Sequence, residues 1–217
     1  MLDEYRLSFG EVYDSVVKII REQLKLEPTG RLAKSTVSIV EKLRRESIRL
    51  SQVQDIAGCR VVVEDIAEQE RVVASLRSVF TRFSVMDRRA NPSYGYRAIH
   101  IIAQSSGKLV EIQVRTYLQH LWAELSEGIS DQFDPAIKYG GGDAELQKTL
   151  MLVSNRVVNY EELESEISLL QAEKGYEEEL QKLREQMFVY KKELVEGFVT
   201  MISKLEAARG QKSDLFN

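Results

Sequence analysis

Two stretches of alternating apolar and polar residues, 97–103 and 109–115, lie on either side of a short connection. Alternation of this kind is typical of β-strands, because successive side chains of a strand point to opposite faces. The connection is rich in residues that favour tight turns: Gln104-Ser105-Ser106-Gly107-Lys108. The sequence therefore predicts a β-hairpin in the middle of the chain.

The two faces of this expected hairpin differ in chemistry. In strand 109–115 alternation collects three polar residues on one face: Glu111, Gln113 and Arg115. In strand 97–103 it places Arg97 on one face and His100 on the other. A row of polar side chains between apolar flanks is costly to bury. We therefore expect the polar face to line a cleft, with a plain solvated surface as the alternative.

The remaining elements follow from apolar spacing. β-Branched runs favour strands, and apolar residues spaced by three and four favour helices. Besides the hairpin, strands are expected at 59–63 and 83–88, and helices at 3–26, 35–46, 65–80 and 117–129. Loops are expected where Pro and Gly collect, at 28–30 and 131–142. The expected fold class is α+β, with a mixed central sheet of about four to five strands flanked by helices.

From residue 143 onward the pattern changes to nearly continuous helix. Apolar residues advance in steps of three and four through two long stretches, which are separated near Lys174-Gly175. The pattern predicts a C-terminal helical hairpin. Its apolar stripe is expected to pack on the core or on another copy of the chain.

Composition is typical of a soluble globular protein. The 217 residues are 43% hydrophobic and 29% charged, enough to bury a core as one domain with helical elaboration. The single cysteine, Cys59, lies in an apolar run and is expected to be a small buried residue, which fits a reducing compartment. No stretch approaches the ~18 apolar residues of a membrane span, and the first residues form no apolar leader. We expect no membrane partner and a cytoplasmic location.

Charge is unevenly distributed along a chain whose net charge is −4. Residues 29–61 carry more bases than acids, whereas residues 160–217 carry more acids than bases. The basic segment is either a solvated face or the site of a polyanion.

Two carboxylates are candidates for a metal site. Glu111 lies on the polar strand face, and Asp55 lies just before the strand at 59–63. If these strands are neighbours, the pair can share Mg²⁺, which takes one or two protein carboxylates beside phosphate oxygens. The alternative for Asp55 is a turn or cap residue. One cysteine and two separated histidines make no zinc site, and neither a Walker-type glycine loop nor a Gly-x-Ser-x-Gly motif is present.

Two tyrosines, Tyr94 and Tyr96, flank Gly95 just before the hairpin. Such a tyrosine is either a packing residue at a strand edge or a platform for a nucleotide base. Stacking of a base on an aromatic ring contributes roughly 1–3 kcal/mol.

Five motifs resemble, in order, the synthetase domain of RelA/SpoT-type (p)ppGpp synthetases. They span roughly residues 30–140: Gly30-Arg31 with Lys34, Ser38-Ile39 and Lys42; Asp55-Ile56-Ala57-Gly58-Cys59-Arg60; Gly95-Tyr96-Arg97-Ala98-Ile99-His100; Glu111-Ile112-Gln113-Val114-Arg115-Thr116; and His120-Leu121-Trp122-Ala123-Glu124. With no hydrolase or regulatory domain attached, the chain resembles a small alarmone synthetase. The resemblance implies an N-terminal helix at 1–29, a synthetase domain at 30–142, and a helical extension at 143–217 through which such proteins form homo-oligomers.

The resemblance implies an enzyme that transfers the β,γ-pyrophosphate of ATP to the 3′-hydroxyl of GDP or GTP, giving (p)ppGpp and AMP. Asp55 and Glu111 would be catalytic and would hold Mg²⁺, the implied cofactor, and Glu111 would also take the proton from the attacking hydroxyl. ATP would contact two arginines around its adenine and three residues at its phosphates: Arg31 and Arg60, then Lys34, Ser38 and Lys42. The acceptor nucleotide would be stacked on Tyr96 and lined by four polar residues: Arg97, His100, Gln113 and Arg115.

The chain departs from the family pattern at two places. Arg31 and Lys34 are separated by two residues where the family has one, and the family's Tyr-Lys pair beyond Glu124 is replaced by residues 131–142. One alternative function is that of a toxin-type relative, which pyrophosphorylates tRNA 3′ ends or adenosine nucleotides. A tRNA-modifying enzyme is expected to need a basic surface beyond the pocket, and the acidic C-terminal region disfavours this. A second alternative is a catalytically silent nucleotide-binding oligomeric regulator.

Overall fold

A computed structural model describes residues 2–170 and 177–214 of the chain. These residues form two compact units. The first contains the described residues of Met1–Ala90 and Ala98–Thr116, and the second contains those of Asn91–Arg97 and Tyr117–Asn217. The three regions implied by the resemblance, divided after residues 29 and 142, stay a prediction.

A mixed sheet of five strands forms the centre of the first unit, in the order β1-β2-β5-β4-β3. Its strands are β1 (Thr29–Arg31), β2 (Ala57–Val63), β3 (Phe83–Asp87), β4 (Ile99–Ser105) and β5 (Lys108–Thr116). β2 and β5 pair in parallel, and the other neighbours pair antiparallel. The hairpin of β4 and β5 and the α+β fold class are confirmed.

Helices cover the apolar face of this sheet. The α-helices described in the first unit are α1 (Leu2–Leu7), α2 (Gly10–Ile19), α3 (Thr36–Glu46) and α4 (Ile66–Val79). Both α2 and α4 pack on β2 and β5. Every second residue of β2 is buried, and so are the alternate residues of β5 that join the same core: Val110, Ile112 and Val114. Because alternation sends the other residues to the opposite face, that face carries the polar side chains.

The N-terminal segment is not the single helix expected at 3–26. α1 and α2 are separate, and a π-helical turn at Ile20–Leu24 continues α2. Lys25 ends this turn in the left-handed region, with a φ of 58°.

The prediction of a loop at 28–30 was also wrong, because Thr29–Arg31 forms β1 and pairs with β2. Gly30 makes this pairing possible. A Cβ at Gly30 would lie 2.5 Å from the carbonyl oxygen of Gly58 and 2.6 Å from the Cα of Cys59. Gly30 is therefore not a loop residue. It lies in a short edge strand, at a position where the backbone of β2 leaves no room for a side chain.

The second unit is helical. It contains α5 (Tyr117–Gln132), a 3₁₀ turn (Pro135–Tyr139), α6 (Ala144–Leu170) and α7 (Glu177–Asp214). The three α-helices pack on one another. Their shared core includes Leu118, Leu121, Trp122, Leu125, Leu150, Val157, Tyr160, Ile167, Leu180, Met187 and Phe198. The long C-terminal helices are confirmed. Their buried apolar residues pack within their own unit, whereas others, such as Leu169 and Phe188, are exposed. The break expected near Lys174-Gly175 lies outside the described residues.

The loop expected at 131–142 is partly helical. Asp134 caps the 3₁₀ turn by accepting a hydrogen bond from the Ala136 amide at 2.8 Å, and Pro135 occupies its first position. Gly140 ends the turn with a φ of 77°. Across the described residues, none of the helices combines the length and apolarity needed to cross a membrane.

Replacing Gly30 by Ala should push β1 away from β2, because the added Cβ would meet backbone atoms that have no freedom to move aside. We expect the free energy of unfolding to fall by roughly 1–3 kcal/mol. Gly197→Ala is the control: nothing lies within 4 Å of a Cβ built there, and removing a glycine from a helix interior should add up to about 1 kcal/mol. Urea unfolding measures both. Unchanged stability of Gly30→Ala would contradict the close contact.

Candidate active site

Strand register collects polar side chains on the face of the first unit's sheet that lies opposite the core. Arg60 of β2 pairs with Gln113 of β5, and Gln113 pairs with His100 of β4. Directly paired residues of neighbouring strands share a face. These three residues therefore form a row across the sheet, as required if they act on one ligand.

A second row lies two residues along the strands. Glu111 of β5 is opposite Gly58 of β2, which is opposite Arg31 of β1. Gly58 has no side chain, and a Cβ there would lie only 3.1 Å from the Glu111 carbonyl oxygen. Arg31 and Glu111 thus share a face with only a glycine between them. It is the unexpected strand β1 that places Arg31 there.

Glu111 is held by two side chains. The Nδ1 atom of His100 lies 2.8 Å from its Oε1, and Gln113 donates its Nε2 to Oε2 at 2.7 Å. Arg115 in turn donates to Gln113 Oε1 at 2.7 Å, which orients the Gln113 amide. Burial alone would raise the pKa of Glu111, but the hydrogen bond and charge of His100, with the Gln113 amide, outweigh it and keep this pKa below its usual value. The carboxylate is therefore ionised at neutral pH.

Asp55 accepts hydrogen bonds from two lysines rather than from the backbone of a turn. Lys34 Nζ donates to Oδ2 at 2.7 Å, and Lys42 Nζ donates to Oδ1 at 2.9 Å. All three side chains are less than one fifth exposed. Burial would raise the pKa of Asp55, but the hydrogen bonds and charges of the lysines outweigh it and hold this pKa below its usual value. The three groups form a charged cluster, and Lys42 also lies 4.0 Å from Glu46 at its edge.

The first turn of α3 positions Ser38 and Lys42. Ser35 is the N-cap, and its Oγ accepts a hydrogen bond from the Ser38 amide at 3.2 Å. The Ser38 hydroxyl also accepts a hydrogen bond from Ser35 Oγ at 2.8 Å. Lys42 lies four residues after Ser38, on the same side of the helix. Lys34 precedes the cap, so the start of α3 is flanked by both lysines.

The segment that carries Lys34 is fixed by the N-terminal helix. Arg6 of α1 donates Nε to the Lys34 carbonyl at 2.7 Å and Nη1 to the Thr36 hydroxyl at 3.0 Å. Asp3 accepts from both Arg6 and Thr36. Sequence reasoning missed this contact, because it joins residues 28 positions apart and no spacing pattern signals it.

The pair Asp55 and Glu111 fits a hard divalent cation. Both carboxylates are ionised, both are mostly buried, and the charge of Asp55 is close enough to raise the pKa of Glu111 in part. In the described ranges, 2–170 and 177–214, no group of three or more His, Cys, Asp or Glu residues is arranged to hold a metal. A two-carboxylate site suits Mg²⁺ when phosphate oxygens complete its ligands. The donor set therefore fits Mg²⁺ that is bound together with a nucleotide.

Within the second unit, residues 91–97 are attached to the helices. Ser154 of α6 donates its hydroxyl to the Gly95 carbonyl at 2.6 Å. A Cβ on Gly95 would lie 2.8 Å from the Trp122 ring, and its φ is 89°. Only glycine tolerates both the close approach to Trp122 and the positive φ. Gly95 therefore fixes the position of the neighbouring Tyr96. Ser154 was not found from the sequence, since a lone serine in a helix carries no signal.

Arg97 does not lie on the strand where alternation placed it. β4 begins at Ile99, and Arg97 instead donates its Nε to the Ser154 hydroxyl at 3.3 Å within the second unit. Burial lowers the pKa of Arg97, while the charges of Glu161 and Glu162 oppose that change. The turn around Gly95 carries Arg97 out of the alternation, which is why the pattern failed here.

A cavity of about 160 Å³ lies beside Tyr96 in the second unit. Its lining includes Tyr94, Tyr96, Trp122, Ser126, Glu127 and Lys138. Aromatic rings and a few polar groups around a concave space are typical of small-molecule sites. Of these residues, the sequence pointed to the two tyrosines, to Trp122 through the fifth motif, and to the segment that contains Lys138.

Asp55→Asn should destabilise the protein without bound nucleotide or metal, because it leaves two mostly buried lysines without their carboxylate. We expect a loss of about 1–3 kcal/mol at pH 7. A carboxyl whose folded pKa is lowered stabilises the fold above its unfolded pKa, near 3.8, and loses that contribution as the pH falls through its folded pKa. The difference between wild type and variant should therefore shrink below about pH 4. Asp14→Asn, on the exposed side of α2, should change stability by less than about 0.5 kcal/mol. An equal deficit at pH 7 and pH 3 in chemical unfolding would contradict the charge contribution of Asp55.

Comparison with known proteins places these residues in a family context. The model of the region found in RelA/SpoT proteins matches residues 30–133. An uncharacterized protein of Mycobacterium tuberculosis is 37% identical over 134 residues, covering 60% of this chain and 49% of its own length. GTP pyrophosphokinase YjbM of Bacillus subtilis is 33% identical over 135 residues, covering 55% of this chain and 60% of its own length. The chain thus spans about half the length of these curated relatives.

Among solved structures, the chain is similar to the small alarmone synthetase 1 of Bacillus subtilis bound to its product pppGpp. The TM-score is 0.56 at 29% identity, over 78% of this chain and 95% of that one. The matched segment, residues 30–133, contains Asp55, Glu111 and the motifs around them. Residues 30–133 of the chain are therefore similar to the region found in RelA/SpoT proteins.

Proposed function

We propose that this chain transfers the β,γ-pyrophosphate of ATP to the 3′-hydroxyl of GDP or GTP, giving (p)ppGpp and AMP. The observation that carries the proposal is the Lys34–Asp55–Lys42 cluster beside a second ionised carboxylate, Glu111. The names of the relatives, GTP pyrophosphokinase and small alarmone synthetase, support the same reaction class.

The two lysines suit the phosphates of ATP. Each ammonium has three N–H donors and spends one of them on Asp55, so the others remain for phosphate oxygens. Two ammonium groups converge on one carboxylate, and the partly exposed Glu46 lies 4.0 Å from Lys42. Two adjacent cations in a site shielded from water favour a polyanion. Ser38 adds a hydroxyl at the N-terminal turn of α3, where free backbone amides also favour anions.

Arg31 and Arg60 are suited to contact the adenine of ATP. Both lie on the polar face of the sheet, in the neighbouring strands β1 and β2. A guanidinium is planar and stacks on aromatic rings, which fits contact with an adenine. Mg²⁺, when held by Asp55 and Glu111, supplies positive charge that offsets the charge on the phosphates.

Glu111 is suited to receive the proton of the acceptor's 3′-hydroxyl. The 3′-hydroxyl oxygen of the acceptor forms a bond to the β-phosphorus of ATP, and the bond from that phosphorus to the oxygen of the α-phosphate breaks. The electron pair leaves with AMP, and the hydroxyl proton passes to Glu111, which is ionised at neutral pH. His100 and Gln113 orient this carboxylate, and Arg115 holds Gln113 in place.

The acceptor base is assigned to the second unit. Tyr96 lines the cavity there and presents a ring on which a base can stack. Arg97, held by Ser154 next to Tyr96, contributes a cation on the acceptor side. Assembly through the C-terminal helices stays a prediction, as does a cytoplasmic location.

The proposal is tested by incubating the protein and Mg²⁺ with γ-³²P-labelled ATP and one acceptor at a time: GDP, GTP, ADP or deacylated tRNA. Label should move to GDP and GTP. Asp55→Asn and Glu111→Gln should reduce the rate by about 100-fold or more, with folding checked by circular dichroism. Label on tRNA or ADP alone would identify the toxin-type alternative, and no transfer to any acceptor would leave the silent regulator.

Tyr96→Ala should weaken binding of the acceptor nucleotide and leave binding of ATP nearly unchanged. Loss of base stacking should raise the KM for GDP about tenfold while the KM for ATP changes less than twofold. Tyr139→Ala is the control, since Tyr139 is an exposed tyrosine in the same unit that does not line the cavity. Equal increases in both KM values for Tyr96→Ala would remove the stacking role.

A further inference from the structure

The cavity beside Tyr96 has a polar rim that the proposed reaction does not explain. Its aromatic side is formed by Tyr94, Tyr96 and Trp122, and its polar residues include Ser126, Glu127 and Lys138. The Tyr94 ring packs on Gly140 so closely that a Cβ on Gly140 would lie 2.1 Å from it. Gly140, at the end of the 3₁₀ turn, is therefore required for the wall that Tyr94 forms.

The two charged residues of the rim, Lys138 and Glu127, differ in their partners. The Lys138 ammonium is 2.8 Å from Asp131, which also accepts a hydrogen bond from Arg209 at 2.6 Å. Glu127 is exposed and makes no hydrogen bond or ion pair with the described residues. Glu127 lines this cavity and also a second concave region between α5 and α7. Its acceptor oxygens are therefore available to a ligand at the cavity rim.

A carboxylate distinguishes the two purine bases. Guanine carries two adjacent donors on one edge, N1–H and the exocyclic amino group, and a carboxylate accepts both through charge-assisted hydrogen bonds. Adenine has a lone pair at N1 beside its amino group, so one carboxylate oxygen would face an acceptor. A site built to pair polar groups rejects a ligand that leaves them unpaired.

We infer that Glu127 selects guanine over adenine as the acceptor base in the cavity formed by Tyr94, Tyr96 and Trp122. This inference rests on the proposed function, of which it names the acceptor class. Glu127 lies at the rim, and Tyr96 supplies the stacking surface. Selection is therefore separate from the transfer chemistry of Asp55 and Glu111.

The chain contains one tryptophan, and Trp122 lines this cavity. Its fluorescence therefore reports binding at this site without any transfer. We would titrate the full chain with GDP and with ADP, in the absence of ATP. The variants are Glu127→Gln and Glu127→Ala. Glu145→Gln is the control, since Glu145 is an exposed carboxylate of α6 that does not line the cavity.

The wild type and Glu145→Gln should bind GDP at least tenfold more tightly than ADP. Glu127→Ala should bind GDP about tenfold more weakly with ADP unchanged. Glu127→Gln should also bind ADP more tightly, because an amide offers both a donor and an acceptor to adenine. An unchanged GDP to ADP ratio in both variants would overturn the inference. Selective GDP binding without any pyrophosphate transfer would instead refute the proposed function alone, so the two failures are distinguishable.

Discussion

The parallel pairing of β2 with β5 is the constraint on which the first unit depends. It joins residues 57–63 to residues 110–116, far apart in the chain, and sets which side chains share a face. The apolar alternates are buried under α2 and α4. Their polar neighbours then stand in rows, with Glu111 opposite Gly58 and Gln113 opposite Arg60. A shift of one residue would turn the apolar set outward, so the core fixes the register of the site.

The Lys34–Asp55–Lys42 cluster follows from this register, because Asp55 immediately precedes β2. Both lysines pair with Asp55, and Lys42 also pairs with Glu46, so each charge has a partner without ligand. The two ammonium groups, with N–H donors to spare, make the same cluster attractive to phosphates. Arg6 and Ser35 position the lysines through backbone and hydroxyl contacts, so the proposed donor site is organised without a ligand. Such prior organisation reduces the cost of ordering side chains on binding.

Much of this arrangement was predictable from local patterns. Alternation in residues 109–115 predicted a polar face with Glu111, Gln113 and Arg115, because the strand period does not depend on tertiary contacts. The predicted strand position of Arg97 was wrong, since the turn at Gly95 depends on Trp122 and Ser154, which come much later in the chain. β1 escaped because its glycine is needed for contact with β2, a distant segment. Glu127 had no signal in the sequence, as the role we infer for it depends on the cavity around it.

The central claim is that a pyrophosphate group, rather than a nucleotidyl or single phosphoryl group, moves from ATP to GDP. The most direct measurement compares ATP labelled with ³²P at the α, β or γ position, with GDP as acceptor. The account predicts that β and γ labels appear together on the guanosine product and that the α label leaves in AMP. Transfer of the γ label without the β label, or of the α label to GDP, would contradict it.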